Sequence, residues 1–315
     1  MNTELSAVSR PSASRKPTVA ARDGMRLQRL VAFLVMAMPI AGTLLAAYLV
    51  IRRGIGWVEV GTFLFMYLVT MGGMTIGLHR YFAHRTFETS RPMRLLLAIT
   101  GSMSTQGPIL SWVTIHRKHH AFSDRPGDPH SPHVHGSQLF GMLNGLWHAH
   151  IGWMFTENSS DWSFSRDLMG DRGLFWVHRT YLYWVGLSFA LPALLGGLLT
   201  RTWTGAALGF LWGGLVRCFV VNQASWCVGS ICHYFGSRRF ATDDHSANNY
   251  MVAVFTFGEG LQNNHHAFPS AARHGMFWWE PDFSGTLITL LAALGLVWNT
   301  YHPTRETMAK LRKAA

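Results

Sequence analysis

Apolar and polar positions alternate along this chain in long blocks, and four of the apolar blocks are long enough to matter. Leu30–Ile51 is a nearly continuous apolar run with one internal proline, and Trp57–Leu78 is a second, carrying only Glu59 near its start. Arg52, Arg53 and Gly54 make the short turn between them. Tyr181–Leu199 and Ala206–Gly229 form a second pair, joined at "TRTWTG". Each run is close to the roughly 20 residues that cross a bilayer. The pattern predicts an all-α integral membrane protein with four transmembrane helices in two hairpins. Residues 92–115 are apolar but broken by "TGSMSTQGP", which predicts an amphipathic or partly embedded helix. Residues 121–137 read as loop, Phe140–Phe155 as an interfacial helix, and Met251–Phe257 as a short apolar element. Leu287–Trp298 is long enough for a span or a surface helix. A fifth span would place the basic tail "HPTRETMAKLRKAA" across the membrane, so the surface helix is preferred. Residues 1–29 are polar, basic and rich in Ser and Pro, which predicts disorder. The expected organisation is a disordered segment 1–29, one membrane domain 30–300 and a basic tail 301–315.

Composition supports a membrane setting. Only 14% of residues are charged, against about 25% in soluble domains. The 13 Trp and 20 Phe add aromatic weight, and Trp favours membrane interfaces. The net charge of +11 has no groove-reading motif beside it, so no nucleic-acid partner follows. It fits the positive-inside rule and attraction to anionic lipid. Arg10, Arg15, Lys16, Arg22, Arg26 and Arg29 precede the first run and outnumber Arg52 and Arg53. Both termini are therefore expected in the cytoplasm, with every histidine cluster on that side in a helical cap. Cys218, Cys227 and Cys232 form neither a CxxC site nor a disulfide framework.

Histidine is the outlier, at 17 residues. His79 and His84 follow the second run. On an α-helix residues five apart diverge by about 140°, so the pair needs a helix end or turn to share a centre, or serves two nearby metals. His116, His119 and His120 have i, i+3, i+4 spacing, which places three imidazoles on one helical face. Gln262, His265 and His266 repeat that spacing with an amide in first place. An amide oxygen is a weaker iron ligand than imidazole, so Gln262 is expected to act weakly or through water. His233 stands alone at the end of the fourth run. Eight candidates (His79, His84, His116, His119, His120, His233, His265 and His266) exceed what one metal takes. Two metals with nitrogen ligands point to iron and oxygen chemistry, suited to an inert C–H bond of a lipid. His130, His133 and His135 are read as supporting or surface residues. Asp124 and Asp128 can orient metal-bound imidazoles. Trp112, one turn before His116, is a candidate wall of an acyl tunnel.

The segments "HRYFAHRTF", "HRKHHAFSDRPGDPHSP", "HAHIGWMF", "GEGLQNNHHAFP" and "RHGMFWWEPDFSG" resemble the membrane fatty acyl desaturases, especially bacterial relatives of stearoyl-CoA delta-9 desaturase. The resemblance implies four transmembrane helices, a cytoplasmic cap and a di-iron centre. It implies O2-dependent insertion of a cis double bond, delta-9, into a saturated acyl-CoA or acyl-lipid chain. It assigns His79 and His84 to a first box, His116, His119 and His120 to a second, and His265 and His266 to a third. His233 falls where the family has a further ligand. Three positions depart from the family: Gln262 replaces a histidine, Gly229 an asparagine that meets a metal through water, and Thr156–Glu157 a basic pair facing CoA phosphates. No haem-binding HPGG or cysteine cluster is present, so electrons must come from a separate donor of ferredoxin, rubredoxin or cytochrome b5 type. The expected location is the bacterial inner membrane. A hydroxylase on the same scaffold is the alternative. A divalent-metal transporter is disfavoured because its ligands would lie within the spans.

Overall fold

The computed structural model describes residues 19–136, 138–156 and 161–312. It is mostly helical. Among the described residues, four helices are long and apolar enough to cross a membrane: α1 (Val19–Arg53), α2 (Trp57–Ala83), and further along the chain Tyr181–Thr200 and Trp203–His233. Between the second and third lie α3 (Arg91–Ser102), α4 (Ile109–Phe122), α5 (Leu139–His150) and α6 (Arg172–Arg179). The third and fourth spans are then α7 and α8. They are followed by α9 (Tyr250–Phe255), α10 (Gln262–Ala267), α11 (Phe283–Ala293) and α12 (Arg305–Leu311).

Several expectations shift in detail. Residues 19–29, read as disordered, belong to α1, since no proline follows Pro17 before Pro39 to interrupt the helix. Residues 1–18 and Glu157 lie outside the described residues. The broken apolar stretch 92–115 resolves into α3 and the start of α4, parted by a turn with Thr105 and Gly107 at positive φ. The run read as Leu287–Trp298 is a helix only to Ala293. Val297–Trp298 form a short strand (β2) antiparallel to Glu88–Thr89 (β1).

The first and third spans leave most of their surface exposed, whereas the second and fourth are half buried. Exposed Leu44, Leu64, Leu194 and Leu198 sit on these spans, as a lipid-facing surface requires. Small residues bring α7 and α8 together. A Cβ on Gly209 would stand 2.0 Å from the Pro192 carbonyl, and one on Gly205 2.6 Å from that of Gly196. Such close backbone approach drives packing where water supplies no hydrophobic force. α1 packs against the fourth span, where Gly42 faces Leu215.

α3 runs back along the end of α2, with Gly73 against Thr100 and Gly77 against Leu97. At the junction of α2 with the later elements, Arg80 is fully buried. It donates to Asp282 at 2.8 Å, to Glu259 at 3.2 Å and to the Ala272 carbonyl at 2.9 Å. A buried guanidinium with two carboxylates ties residues 259–282 onto the second span, and removing either partner would strand a charge. The histidine-bearing segments gather at this end of the bundle.

Candidate metal centre

The end of α2 explains how its two histidines reach one place. Residues Gly73–Ala83 are π-helical, and the His84 N–H donates to the His79 carbonyl at 3.1 Å. Bonding from i to i+5 sets residues five apart nearly in register, so the 140° divergence of an α-helix does not apply. The spacing on α4 has the opposite surprise. His116 and His120 face one centre, while His119 faces another.

The histidines form two neighbouring groups. Ligand-capable atoms of His79, His84, His116, His120 and His265 all lie within 4.8 Å of one another, and so do those of His119, His233 and His266. The eight predicted histidines thus separate into five and three. The groups adjoin, with the His120 and His266 ring centroids 4.5 Å apart.

In the group of five, Nε2 atoms face one another. His79 and His265 approach to 3.1 Å, His265 and His120 to 3.0 Å, and His84 and His116 to 2.7 Å. The Nδ1 of His79 pairs with Glu259, which orients the ring with Nε2 toward the other imidazoles. Burial and the neighbouring imidazoles hold the pKa values of His84, His116, His120 and His265 well below the usual histidine value. Neutral imidazoles with converging lone pairs are the state a metal requires.

The group of three is built differently. Its ring centroids form a near-equilateral triangle of 5.2, 5.3 and 5.2 Å. Every Nδ1 meets a carboxylate: His119 with Asp128 at 2.9 Å, His233 with Asp124 at 2.7 Å, and His266 with Asp244. All three Nε2 atoms are buried and have no hydrogen-bond partner among the described residues. A buried polar atom without a partner carries a substantial desolvation cost, and three such atoms side by side fit a metal. The carboxylates are themselves fixed. Asp128 accepts from the Asp124 and His130 backbone N–H groups, and Asp124 accepts from Ser131 at 2.7 Å and His245 N at 2.8 Å. Burial opposes charge on both, yet the paired imidazoles, His233 for Asp124 and His119 for Asp128, hold their pKa values below the usual carboxylate range. Burial disfavours charge on His119 too, but Asp128 outweighs it and raises that pKa. Burial prevails at His266, lowered to about 4.

Gln262 is 3% exposed, and its Oε1 is buried without a partner among the described residues. The helix that carries it is only six residues long. Its neighbours hold it: Asn263 Oδ1 accepts from the Arg239 and Phe240 N–H groups, and Asn264 Nδ2 donates to Glu280 at 2.9 Å. A Cβ on Gly229 would come within 3.4 Å of His130 Nδ1, so the imidazole of His130 fills that space. His130 is stacked on His119 at 4.5 Å. His133 instead meets the His233 carbonyl at 2.7 Å, and His135 faces His148. Thr156 offers its carbonyl to Gln28.

A cavity of about 420 Å³ opens beside both groups, lined by His79, His116, His119, Gln262, Met74 and Ile115 among others. Trp112 forms part of its wall and stacks on His116 at 4.9 Å and 11°.

Three residues escaped the sequence reading: Asp244, Glu259 and His274. His274 is fully buried, lies 4.5 Å from the His265 ring and has its Nδ1 3.5 Å from Glu259. Glu259 stands within the stretch that holds the third box, three residues before Gln262. Asp244 and His274 are single residues whose spacing carries no signal.

Known proteins share this arrangement of sequence. The "Fatty acid desaturase" family model matches residues 55–280. The chain is 43% identical over 310 residues to a hex-5-enoyl-[acyl-carrier protein] acetylenase of Moorena producens, covering 97% of this chain and 96% of that protein. It is 35% identical to an sn-1 stearoyl-lipid 9-desaturase of Anabaena variabilis, covering 81% and 88% of the two chains. It is 36% identical to an acyl-CoA C20 Delta5-desaturase of Anemone leveillei, covering 76% and 72%.

Proposed function

The chain belongs to the fatty acid desaturase family and is an oxidoreductase, and on that premise we propose that it uses O2 to insert a cis double bond into a saturated acyl chain at a two-iron centre. The observation that carries this reading is the division of eight histidines into groups of five and three beside one cavity. His79, His84, His116, His120 and His265 would hold one iron. His119, His233 and His266 would hold the other, with Gln262 as a weak or water-mediated partner. Bound iron supplies O2 activation. In balance, two hydrogens leave adjacent methylenes, two electrons and two protons arrive from outside, and O2 becomes two waters.

The chain's own residues do the rest. Trp112, stacked on His116, presses the acyl chain toward the histidines, and the cavity walls keep water from the reacting methylenes. Asp124, Asp128, Asp244 and Glu259 keep protons on Nδ1, so that Nε2 stays free to bind. Residues 30–300 form the membrane domain between basic segments 1–29 and 301–315. In a bacterial inner membrane, two hairpins would leave the histidines and both termini on the cytoplasmic side, as the excess of basic residues before the first span supports. Electrons come from a separate ferredoxin, rubredoxin or cytochrome b5 type donor, drawn to the basic face.

Delta-9 insertion is the regiochemistry of the stearoyl-lipid relative. The three relatives carry their chains on carrier protein, lipid and CoA respectively, and Thr156 in place of a basic residue disfavours CoA. The 43% identity to an acetylenase supports a second reading, in which an existing double bond is dehydrogenated further. Expression in a desaturase-deficient host with fatty-acid profiling tests both. Cis-monounsaturated chains are expected. Alkynyl products would favour the second reading, and hydroxylated chains without alkenes would overturn both.

A further inference from the structure

Away from the histidines, the cavity's lining stops at the Thr105–Gly107 turn. Along α4 its wall runs from Pro108, just before the helix, through Trp112 and His116 to His119. The wall ends on the second span at Met74 and on the fourth at Ser225. Met71 and Asn222, one turn deeper on each span, are buried and lie outside it.

What closes it is polar. Gln106 Nε2 donates to Asn222 Oδ1 at 2.6 Å, across the gap between the α3–α4 turn and the fourth span. Beside this bond, the Gly107 N–H donates to the Tyr181 hydroxyl at 3.1 Å, and the Thr105 hydroxyl lies 3.1 Å from Cys218 Sγ. Behind them, the fully buried Arg217 donates to the Met103, Gly213 and Ser188 carbonyls. No carboxylate pairs with it among the described residues. A methyl terminus can replace none of these hydrogen bonds, so pushing through the floor would leave buried polar groups unpaired.

We infer that the Gln106–Asn222 pair is a floor that limits how far an acyl chain can extend beyond the reacting carbons. The inference rests on the cavity being the acyl site of the proposed desaturase. Three walls bound its depth. Pro108 to His116 and Ser225 to His233 are each eight residues, or about 12 Å of helix, and Met74 to His79 on the second span is five, or about 7 Å. At about 1.3 Å of advance per carbon, from C–C bonds of about 1.5 Å, roughly five to nine carbons fit between the histidines and the floor. Chains with a longer methyl-side segment are excluded.

The test compares two double variants in the purified, iron-loaded full chain. Gln106→Ala/Asn222→Ala removes the floor. Gln106→Met/Asn222→Leu replaces it with apolar groups of similar size and keeps it shut. Binding of saturated N-acyl pantetheine amides of increasing length is read by native mass spectrometry, with iron content as the check on folding. The wild type and the Met/Leu variant are expected to share one length cut-off. The Ala/Ala variant should bind chains two to four carbons past it at least tenfold better than the wild type does. An unchanged cut-off in Ala/Ala overturns the inference, as does an equal shift in Met/Leu or failure of the wild type to bind any chain. Because binding is read without turnover, a wild type with a floor-dependent cut-off but no unsaturated product would count against the desaturase reading alone.

Discussion

The two histidine groups solve the same problem with different means. In the group of five, the imidazoles crowd one another, and Glu259 is the carboxylate that braces a ring, His79. In the group of three, each ring has its own aspartate. A site offering five imidazoles can lose one and still offer four. A site with three has no such margin, and gains its hold from fixed tautomers and nearby negative charge. Ligand number and outer-shell bracing therefore trade against each other across a gap of one ring contact, His120 to His266.

The largest effect that would break this contrast is loss of a ligand. His233→Ala should empty its site, with an affinity loss well above the roughly 10–100-fold typical of outer-shell changes, and should abolish activity. His120→Ala should keep most of its metal and some activity. Equal metal loss in both, measured by elemental analysis after dialysis against a chelator, would remove the distinction. Next in size is the bracing itself. Asp124→Asn should weaken one of the two metals by about 10–100-fold, with little change in the other. Metal-release kinetics with two phases would show it, and a single uniform phase would contradict it.

The smallest effect concerns Gln262. Its unpartnered oxygen, buried beside the cavity, marks it as a weak contributor, so Gln262→Ala should lower iron retention only a few-fold. Gln262→His should raise it. Full iron content and activity in Gln262→Ala would show that the amide is not used.

Much of this architecture is legible in the sequence. The spans are long apolar blocks, and composition alone marks them. The boxes show because metal-binding histidines on a helix must recur at fixed spacing, as at His116, His119 and His120. Periodicity could not reveal the division of that single face between two centres, because both centres lie close enough to share α4. Nor could it show the π-helical end of α2, which depends on hydrogen bonding in the folded bundle and lets His79 and His84 converge. Asp244 and Glu259 are braces supplied from far along the chain, and His274 is a lone residue in sequence. Their roles exist only once Arg80 and the two asparagines of α10 have pinned those segments in place.

The central claim is that two metals sit in separate histidine groups of unequal ligand number. Anomalous diffraction at the iron edge on the purified, iron-loaded protein tests it most directly. Two iron peaks per chain are expected, one enclosed by His79, His84, His116, His120 and His265, and the other by His119, His233 and His266. A single peak, or a metal bound jointly by His120 and His266, would contradict it.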